Sequence, residues 1–416
     1  MTPQETLPNH SFVVSFFLLI CRHPIPMTRA RSRIKQRRRL NARSRSLFLK
    51  SLTTDLVAAG FRVRQPRGPD GDWRFAPPSH RAQVIQLRKL RTKQISASSD
   101  FIQHTEANGA IMLLGDGCSI DPIRICPQIK FCVSSADHAI FRYSKFFQKV
   151  PSTNRVGRQL RCLVYDVGQS CPILMGVFEL TSGAYTLGCR DDYLRWSDLS
   201  RKAVKDNGLR RIMDLATIIA LPPYNFLFGG KLVAALTFSD VVLREVRRRY
   251  RSPLLGVVAT SATGLHCAIL NRIGLKRGGL FRRIGQTSGY STLFASQSTL
   301  SAARRFLPGF VSAPEGEFST SVRPLHVLRV AMRGCGISPD AILRSAYPKG
   351  VYFGSINEVH LSALRTGKTC RHQGLAIESI VDYWKSRYLS KALADSEKVA
   401  TFLAYRRYGP LQSQTS

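Results

Sequence analysis

The stretch Ile218–Asp240, IIALPPYNFLFGGKLVAALTFSD, leaves the chain around it few choices. The apolar run Ile212–Leu221 stops at Pro222-Pro223, turns through Tyr224-Asn225, and passes Gly229-Gly230-Lys231 into a second apolar run with helical spacing. A strand that feeds a helix through a tight turn predicts neighbours that also alternate strand and helix. Arg158–Gly168 and Pro172–Gly183 read as strands separated by a Gly-Gln-Ser-Cys turn, and Ala184–Trp196 reads as extended chain. Ser197 or Asp198 caps an amphipathic stretch ahead of Ile212. Beyond the glycines come a basic helix (Ser239–Arg251), a buried-strand pattern (Pro253–Gly264), a short helix (Leu265–Gly274) and two closing strands (Leu280–Gln286, Gly289–Ser296). This order predicts an α/β unit around a mixed sheet.

Charge sets the second constraint. Sixty-two Lys and Arg against 26 Asp and Glu give a net charge of +36. A surplus this large destabilises a compact chain by self-repulsion, so a polyanionic partner is expected, with nucleic acid first because neutralised phosphates release counterions. An Arg-rich genomic composition is the competing explanation. Thr28–Lys50 holds ten basic residues and no acidic one, which reads as an arm for DNA or RNA. Arg29, Arg31, Arg33, Lys35, Arg37, Arg38, Arg39, Arg43 and Arg45 are its candidate contacts. A solvated tail is the plainer reading, and arms of this kind order on binding. Leu47, Leu52, Leu56 and Val57 suggest a short amphipathic helix ending at Gly60. Arg64–His80 reads as a loop, and Arg81–Ser96 as a basic helix with Val84, Leu87, Leu90 and Ile95 near one face. Pro122, Ile125, Pro127 and Ile129 suggest extended chain.

The resulting division is an apolar extension (1–27), a basic arm and helical region (28–96), a linking segment (97–157), an α/β core (158–310) and a mainly helical C-terminal segment (320–416). In the last, Ile377, Ile380, Val381, Trp384 and Tyr388 fall at helical spacing. Phe12–Cys21 is apolar but shorter than the ~20 residues that span a bilayer, and no Lys or Arg precedes it as in a secretory signal. It reads as an upstream extension with Met27 as the start, a weak membrane anchor being the alternative. Ten cysteines include no Cys-x-x-Cys pair, so the expectation is no metal site, no membrane partner and a reducing cytoplasm.

Residues Gln159 to about Tyr352 resemble the Druantia A (DruA) family of bacterial anti-phage islands. The resemblance rests on LMGVFELTSGAYTLGCRDDYLRW with Arg190, Asp191 and Trp196; on RIMDLATIIALPPYNFLFGGKLVAAL; on VVATSATGLHCAILNRI; and on LFRRIGQTSGY and PKGVYF. It implies a role in defence against phage beside other Druantia components, including a large helicase-like protein, and supplies no reaction. The chain departs from the family's pattern at ATGLHC, where Gly-Arg-Ser-Ser is usual. A second resemblance, to the GCN5-related N-acetyltransferases, is carried by the strand–glycine turn–helix order and by NRIGLKRGGLFRRIG. It implies an acetyltransferase-like core whose central turn binds the pyrophosphate of coenzyme A at a helix N-terminus. Asn225, Gly229, Gly230 and Lys231 would occupy that turn, but the family's Arg/Gln-x-x-Gly-x-Gly/Ala spacing is missing and Phe226, Leu227 and Phe228 crowd it. Packing explains a lone Gly-Gly-Lys more often than phosphate does.

Other polar residues carry paired readings. Asp191 and Asp192 could serve a metal, yet neighbours on extended chain point to opposite faces, so Asp191 pairing with Arg190 or capping a helix is preferred. Thr260, Ser261 and Thr263 read as phosphate ligands or, more commonly, turn hydroxyls. His266 reads as a buried histidine before a base, and Asn271-Arg272 equally as nucleic-acid or backbone contacts. Arg247, Arg248 and Arg249 beside Tyr250 could stack on a base, though a solvated helix face is the commoner case. The leading expectation is nucleic-acid-associated defence with no cofactor. Acyl transfer from acetyl-coenzyme A is the rival, and a scaffold for defence partners the third.

Overall fold

A computed structural model describes residues 27–64, 73–151, 157–262, 264–274, 280–288, 295–310, 324–343, 347–371 and 373–407. The chain forms two compact units, Met1–Leu52 with Ala295–Cys335, and Thr53–Phe294 with Gly336–Ser416. In chain order the elements begin α1 (Met27–Ala58), β1 (Arg62–Arg64), β2 (Arg74–Ala76), α2 (His80–Ser96), α3 (Ser99–Ala107), β3 (Pro127–Phe131) and α4 (Ser135–Ser144). There follow β4 (Gln159–Asp166), β5 (Ile173–Thr181), α5 (Gly188–Tyr193), α6 (Lys202–Arg210), β6 (Ile212–Ala220), α7 (Gly229–Leu236), α8 (Asp240–Tyr250), β7 (Gly256–Thr260) and β8 (Phe281–Gln286). The remainder is α9 (Gln297–Phe310), α10 (Pro324–Gly334), α11 (Pro339–Leu343), β9 (Gly350–Gly354), α12 (Glu358–Thr366), α13 (Ile377–Trp384), α14 (Ser390–Leu393) and α15 (Ser396–Ala404).

The segment read as an arm, Thr28–Lys50, lies within the 32-residue helix α1, whose residues as far as Leu52 belong to the first unit. Phe48 and Leu52 are buried, and Phe48 stacks on Phe306 of α9 with ring centroids 6.2 Å apart. Ala303 and Leu307 of α9 and Val327, Leu328, Ala331 and Met332 of α10 complete a small apolar core. Arg45 donates to the Cys335 carbonyl at 3.3 Å. Of the expected apolar stripe, Leu52 and Leu56 are buried, whereas Leu47 and Val57 are 46% and 56% exposed. The helix stops short of Gly60, whose φ of +87° suits glycine.

The second unit is built on a seven-stranded mixed sheet of order β3-β4-β5-β6-β7-β9-β8. Only β6 and β7 run parallel, joined by the crossover through α7 and α8; the other neighbours are antiparallel. The mixed α/β class read from the sequence is therefore the observed one. Period-2 alternation feeds opposite faces of the sheet. Cys162, Val164, Met175, Phe178 and Met213 pack with Leu232 and Val233 of α7, Val242 of α8 and Trp384 of α13. Leu163, Leu174, Val177 and Ile219 pack with Ile95 of α2, Ile102 of α3 and Phe141 of α4. A third cluster joins Trp196, Val258, Phe353, Leu361 and Leu364.

Several local readings change. The span read as the loop Arg64–His80 contributes β2, which pairs antiparallel with β1 so that Arg64 opposes Arg74. The span read as linking contributes β3, an edge strand, and the C-terminal segment contributes β9, inserted between β7 and β8. Leu265–Gly274 is a string of turns instead of a helix, because side chains elsewhere bind its backbone groups, as described below. Most of Gly289–Ser296, read as a closing strand, lies outside the described residues, as do Phe12–Cys21 and Thr263. Among the described residues no helix is long and apolar enough to cross a membrane.

Candidate functional site

Ala184–Trp196 is not extended throughout: Gly188–Tyr193 forms the short helix α5. The cause is Asp191, whose carboxylate reaches back to accept from the Leu187 amide at 3.2 Å, satisfying a donor the first turn leaves unpaired. The same carboxylate accepts from Arg190 Nε at 2.9 Å and Nη2 at 2.6 Å, and from Lys205 Nζ of α6 at 2.9 Å. Arg190 is 0% exposed, and its remaining donors go to the carbonyls of Ala184 at 2.6 Å and Tyr185 at 3.0 Å. Its guanidinium lies 5.8 Å from the Trp196 ring, and Trp196 Nε1 donates to the Leu364 carbonyl at 3.0 Å. Asp192 points outward and accepts from Ser197, so the two aspartates do not converge.

The glycine turn is filled by the chain itself. Tyr224 is buried and donates to Asp166 at 3.0 Å; Asp166 also accepts from the Cys126 and Gly168 amides and from Gln169. Burial first, and the Asp166 charge second, hold the Tyr224 phenol well above its ordinary range. Phe228 takes a left-handed conformation (φ +58°) that starts α7. A Cβ at Gly229 would lie 2.6 Å from the Tyr224 carbonyl oxygen, and one at Gly230 would lie 3.2 Å from Ile269. Lys231 Nζ donates to the carbonyls of Ala268 and Asn271, both at 2.7 Å, and sits 5.1 Å from the Tyr388 ring. Burial pulls its ammonium below the ordinary lysine range. Asn225 is exposed beside this turn.

The neighbouring residues complete the lock. Asn271 accepts from Tyr352 Oη at 2.9 Å, and that oxygen accepts from the Cys267 amide at 2.9 Å. Arg272 has φ +58°, its carbonyl accepts from Tyr388, and its side chain is exposed. Ser261 donates to the Gly264 carbonyl and accepts from the Gly350 amide at 3.0 Å, while Thr260 is exposed at the end of β7. These contacts fasten residues 264–274 against α7 and β9. They leave the glycine pair in close contact with the Tyr224 carbonyl and Ile269.

A second group of basic side chains lies at the opposite end of the parallel pair. A cleft of about 600 Å³ opens where β4, β6 and β7 begin, between the loop after β5 and the ends of α6 and α8. Arg158, Arg210, Arg211, Arg251, Tyr185 and Tyr250 line it, and among the described residues no Asp or Glu does. Arg158 is fixed by the carbonyls of Arg210 at 2.7 Å and of Leu209 and Ile212 at 3.0 Å, and lies 5.7 Å from the Tyr250 ring. Tyr250 is anchored by donating to the Gln159 carbonyl at 2.7 Å and accepting from its amide at 3.0 Å. Arg248 and Arg249, for which a solvated helix face is the preferred reading over stacking with Tyr250, pair with Glu245 on α8. Sequence reading missed the cleft because its lining comes from four separated segments; the Arg210-Arg211 pair at the helix–strand junction was the visible trace.

Of the nine candidate contacts in the basic segment, Arg29, Arg31, Arg33, Lys35, Arg37, Arg38 and Arg39 lie along the first half of α1, and Arg43 and Arg45 are exposed farther on. The family model for Druantia protein DruA matches residues 79–353. The chain belongs to the DruA family. Druantia protein DruA of Escherichia coli (strain UMEA 4076-1) is 26% identical over 294 residues, which cover 67% of this chain and 70% of that protein. No solved structure matches. Within the span matched to DruA fall the Arg190–Asp191–Trp196 network, the glycine turn and the whole cleft; α1 precedes it.

Proposed function

We propose that the protein is a component of a Druantia-type anti-phage system and contacts nucleic acid through its basic segments, acting beside the other Druantia components. Membership in the DruA family supports the first part. The observation that carries the second is the placement of the basic run on the single helix α1. On that helix Arg29 and Arg33, Arg31 and Lys35, Arg33 and Arg37, Lys35 and Arg39, and Arg39 and Arg43 stand four apart. Like charges at that spacing each oppose the helix by about 0.2–0.5 kcal/mol, a sum of roughly 1–2.5 kcal/mol that an anionic partner removes. Phosphate contacts of this kind position a protein without reading sequence.

The test replaces the basic residues from Arg29 to Arg39 with glutamine, because deleting 28–50 would also remove buried Phe48. Retention on heparin and affinity for labelled oligonucleotides should fall. The slope of log affinity against log salt should flatten by about 0.7–0.9 for each phosphate that is no longer neutralised. Unchanged affinity and slope would overturn the role of this helix.

A second reading, acyl transfer from acetyl-coenzyme A, draws support from the sheet. The β6–β7 ladder covers only Ile212–Asp214 and Gly256–Val258, although the strands run on to Ala220 and Thr260, and the glycine turn lies at the end of β6. Ligands of open α/β sheets bind outside the carboxyl ends of parallel strands. This reading requires Ile269 to leave Gly230. Acetyl-coenzyme A should then raise the melting temperature, and no shift at saturation removes it.

A further inference from the structure

The cleft at the start of β4, β6 and β7 plays no part in the contacts that lock the glycine turn, and three observations set it apart. The first is charge. Four guanidinium groups line one cavity, and among the described residues their hydrogen bonds end on backbone carbonyls and the Ser182 hydroxyl, with no carboxylate among the partners. Arg210 and Arg251 are exposed and carry no ion pair among the described residues. Like charges gathered in a concave site raise the local positive potential and draw an anion.

The second is backbone. Arg251 ends α8 with φ +54°, a left-handed position that glycine fills without steric penalty. An arginine there puts its charge at the cleft and takes the less comfortable residue type to do so. The third is an aromatic face. Tyr185 is 54% exposed at the cleft, yet its hydroxyl donates to Asp206 at 3.0 Å, its carbonyl accepts from buried Arg190 at 3.0 Å, and its ring lies 4.7 Å from Lys205 Nζ. A tyrosine held at both ends and left open on one side is a stacking platform fixed before any ligand arrives.

We propose that this cleft binds one nucleotide unit, with its phosphate on Arg210, Arg211 and Arg251 and its base on Tyr185. The inference rests on the nucleic-acid reading for the strand as ligand, and the volume of about 600 Å³ lies in the range of small-molecule sites. The shared chemistry, a phosphorylated nucleoside, comes from a strand or from a free nucleotide. The Arg190–Asp191–Lys205 network is the positioning shell, since it holds the loop that carries Tyr185.

The experiment uses the full chain, a short fluorescein-labelled oligothymidylate, and ADP measured by calorimetry. R210Q/R251G should weaken strand binding roughly tenfold or more and flatten the salt slope by about 0.7, the share of the one phosphate held in the cleft. Tyr185→Ala should weaken binding with the slope unchanged, and Tyr185→Phe should restore it, because stacking needs the ring and not the hydroxyl. Denaturation midpoints report folding of each variant; should R210Q/R251G not fold, R251G alone carries the test. Wild-type affinity and slope in the cleft variants overturn the proposal. If the α1 glutamine variant then loses the strand, the nucleic-acid reading survives without the cleft. If wild-type protein ignores the strand yet binds ADP through these residues, the cleft stands with a free nucleotide as ligand and the nucleic-acid reading falls. Binding of neither probe overturns both.

Discussion

Replacing Asp191 with asparagine removes the negative charge with which both Arg190 and Lys205 form their ion pairs. Its oxygens serve four donors: Arg190 Nε and Nη2, Lys205 Nζ and the Leu187 amide. Asparagine keeps one acceptor and turns an amide NH₂ toward donors where the second oxygen stood. Arg190, 0% exposed, would keep only the carbonyls of Ala184 and Tyr185 for its charge. Breaking a buried pair this way costs about 3–5 kcal/mol, because it strands an uncompensated charge. Against a typical stability of about 5–15 kcal/mol the loss is large. Urea denaturation followed by tryptophan fluorescence, with Trp196 in the network itself, gives the cost as the midpoint shift at constant m. Replacing Arg190 and Asp191 together by Met and Leu should recover much of the loss, since an apolar pair needs no compensation. A cost below about 1 kcal/mol for D191N, or a double variant no better than the single, would refute the claim that the Arg190 charge is buried and compensated by Asp191.

Other outcomes follow from single contacts. Gly208 lies where a Cβ would enter the Trp196 ring, so Gly208→Ala should destabilise by about 1–3 kcal/mol through overpacking, readable as a lowered melting temperature. Tyr224→Phe should cost about 1.5–3 kcal/mol by removing a donor to the Asp166 carboxylate, and Cys126, Gly168 and Gln169 should keep Asp166 satisfied enough for the chain to fold. The Arg248 and Arg249 guanidinium groups pull the Glu245 carboxyl down to about 2. A depressed folded value stabilises above the unfolded value of about 4.3 and loses that contribution as pH falls, so denaturation midpoints should drop below about pH 5 and E245Q should flatten the drop. Arg251→Gly should leave the melting temperature unchanged or raise it, relieving about 1–2 kcal/mol of left-handed strain against the entropy glycine loses on folding. A fall in stability would show that Arg251 is a structural cap.

The regular elements were legible where period and punctuation agreed. Alternation in Gln159–Asp166 and Ile173–Thr181 placed β4 and β5, and Ser239 placed the start of α8 by accepting from the Val242 amide. Asp191 with Arg190 was read as a pair or a helix cap and is both. Leu265–Gly274 has helical spacing and still forms turns, because Lys231, Tyr352 and Tyr388 take its carbonyls and an amide from outside. Local pattern carries no information about partners distant in sequence.

By itself the sequence determined the α/β class, the strand–turn–helix around Pro222-Pro223 and Gly229-Gly230, the family likeness and the surplus of positive charge, since each is a property of neighbouring residues or of composition. Only the tertiary structure decided that β9 enters the sheet between β7 and β8, that Ile269 and Lys231 close the glycine turn, and that Arg158, Arg210, Arg211 and Arg251 meet at one cleft. Strand order and convergence depend on burying two faces of one sheet at once, a requirement that no short window of the chain contains.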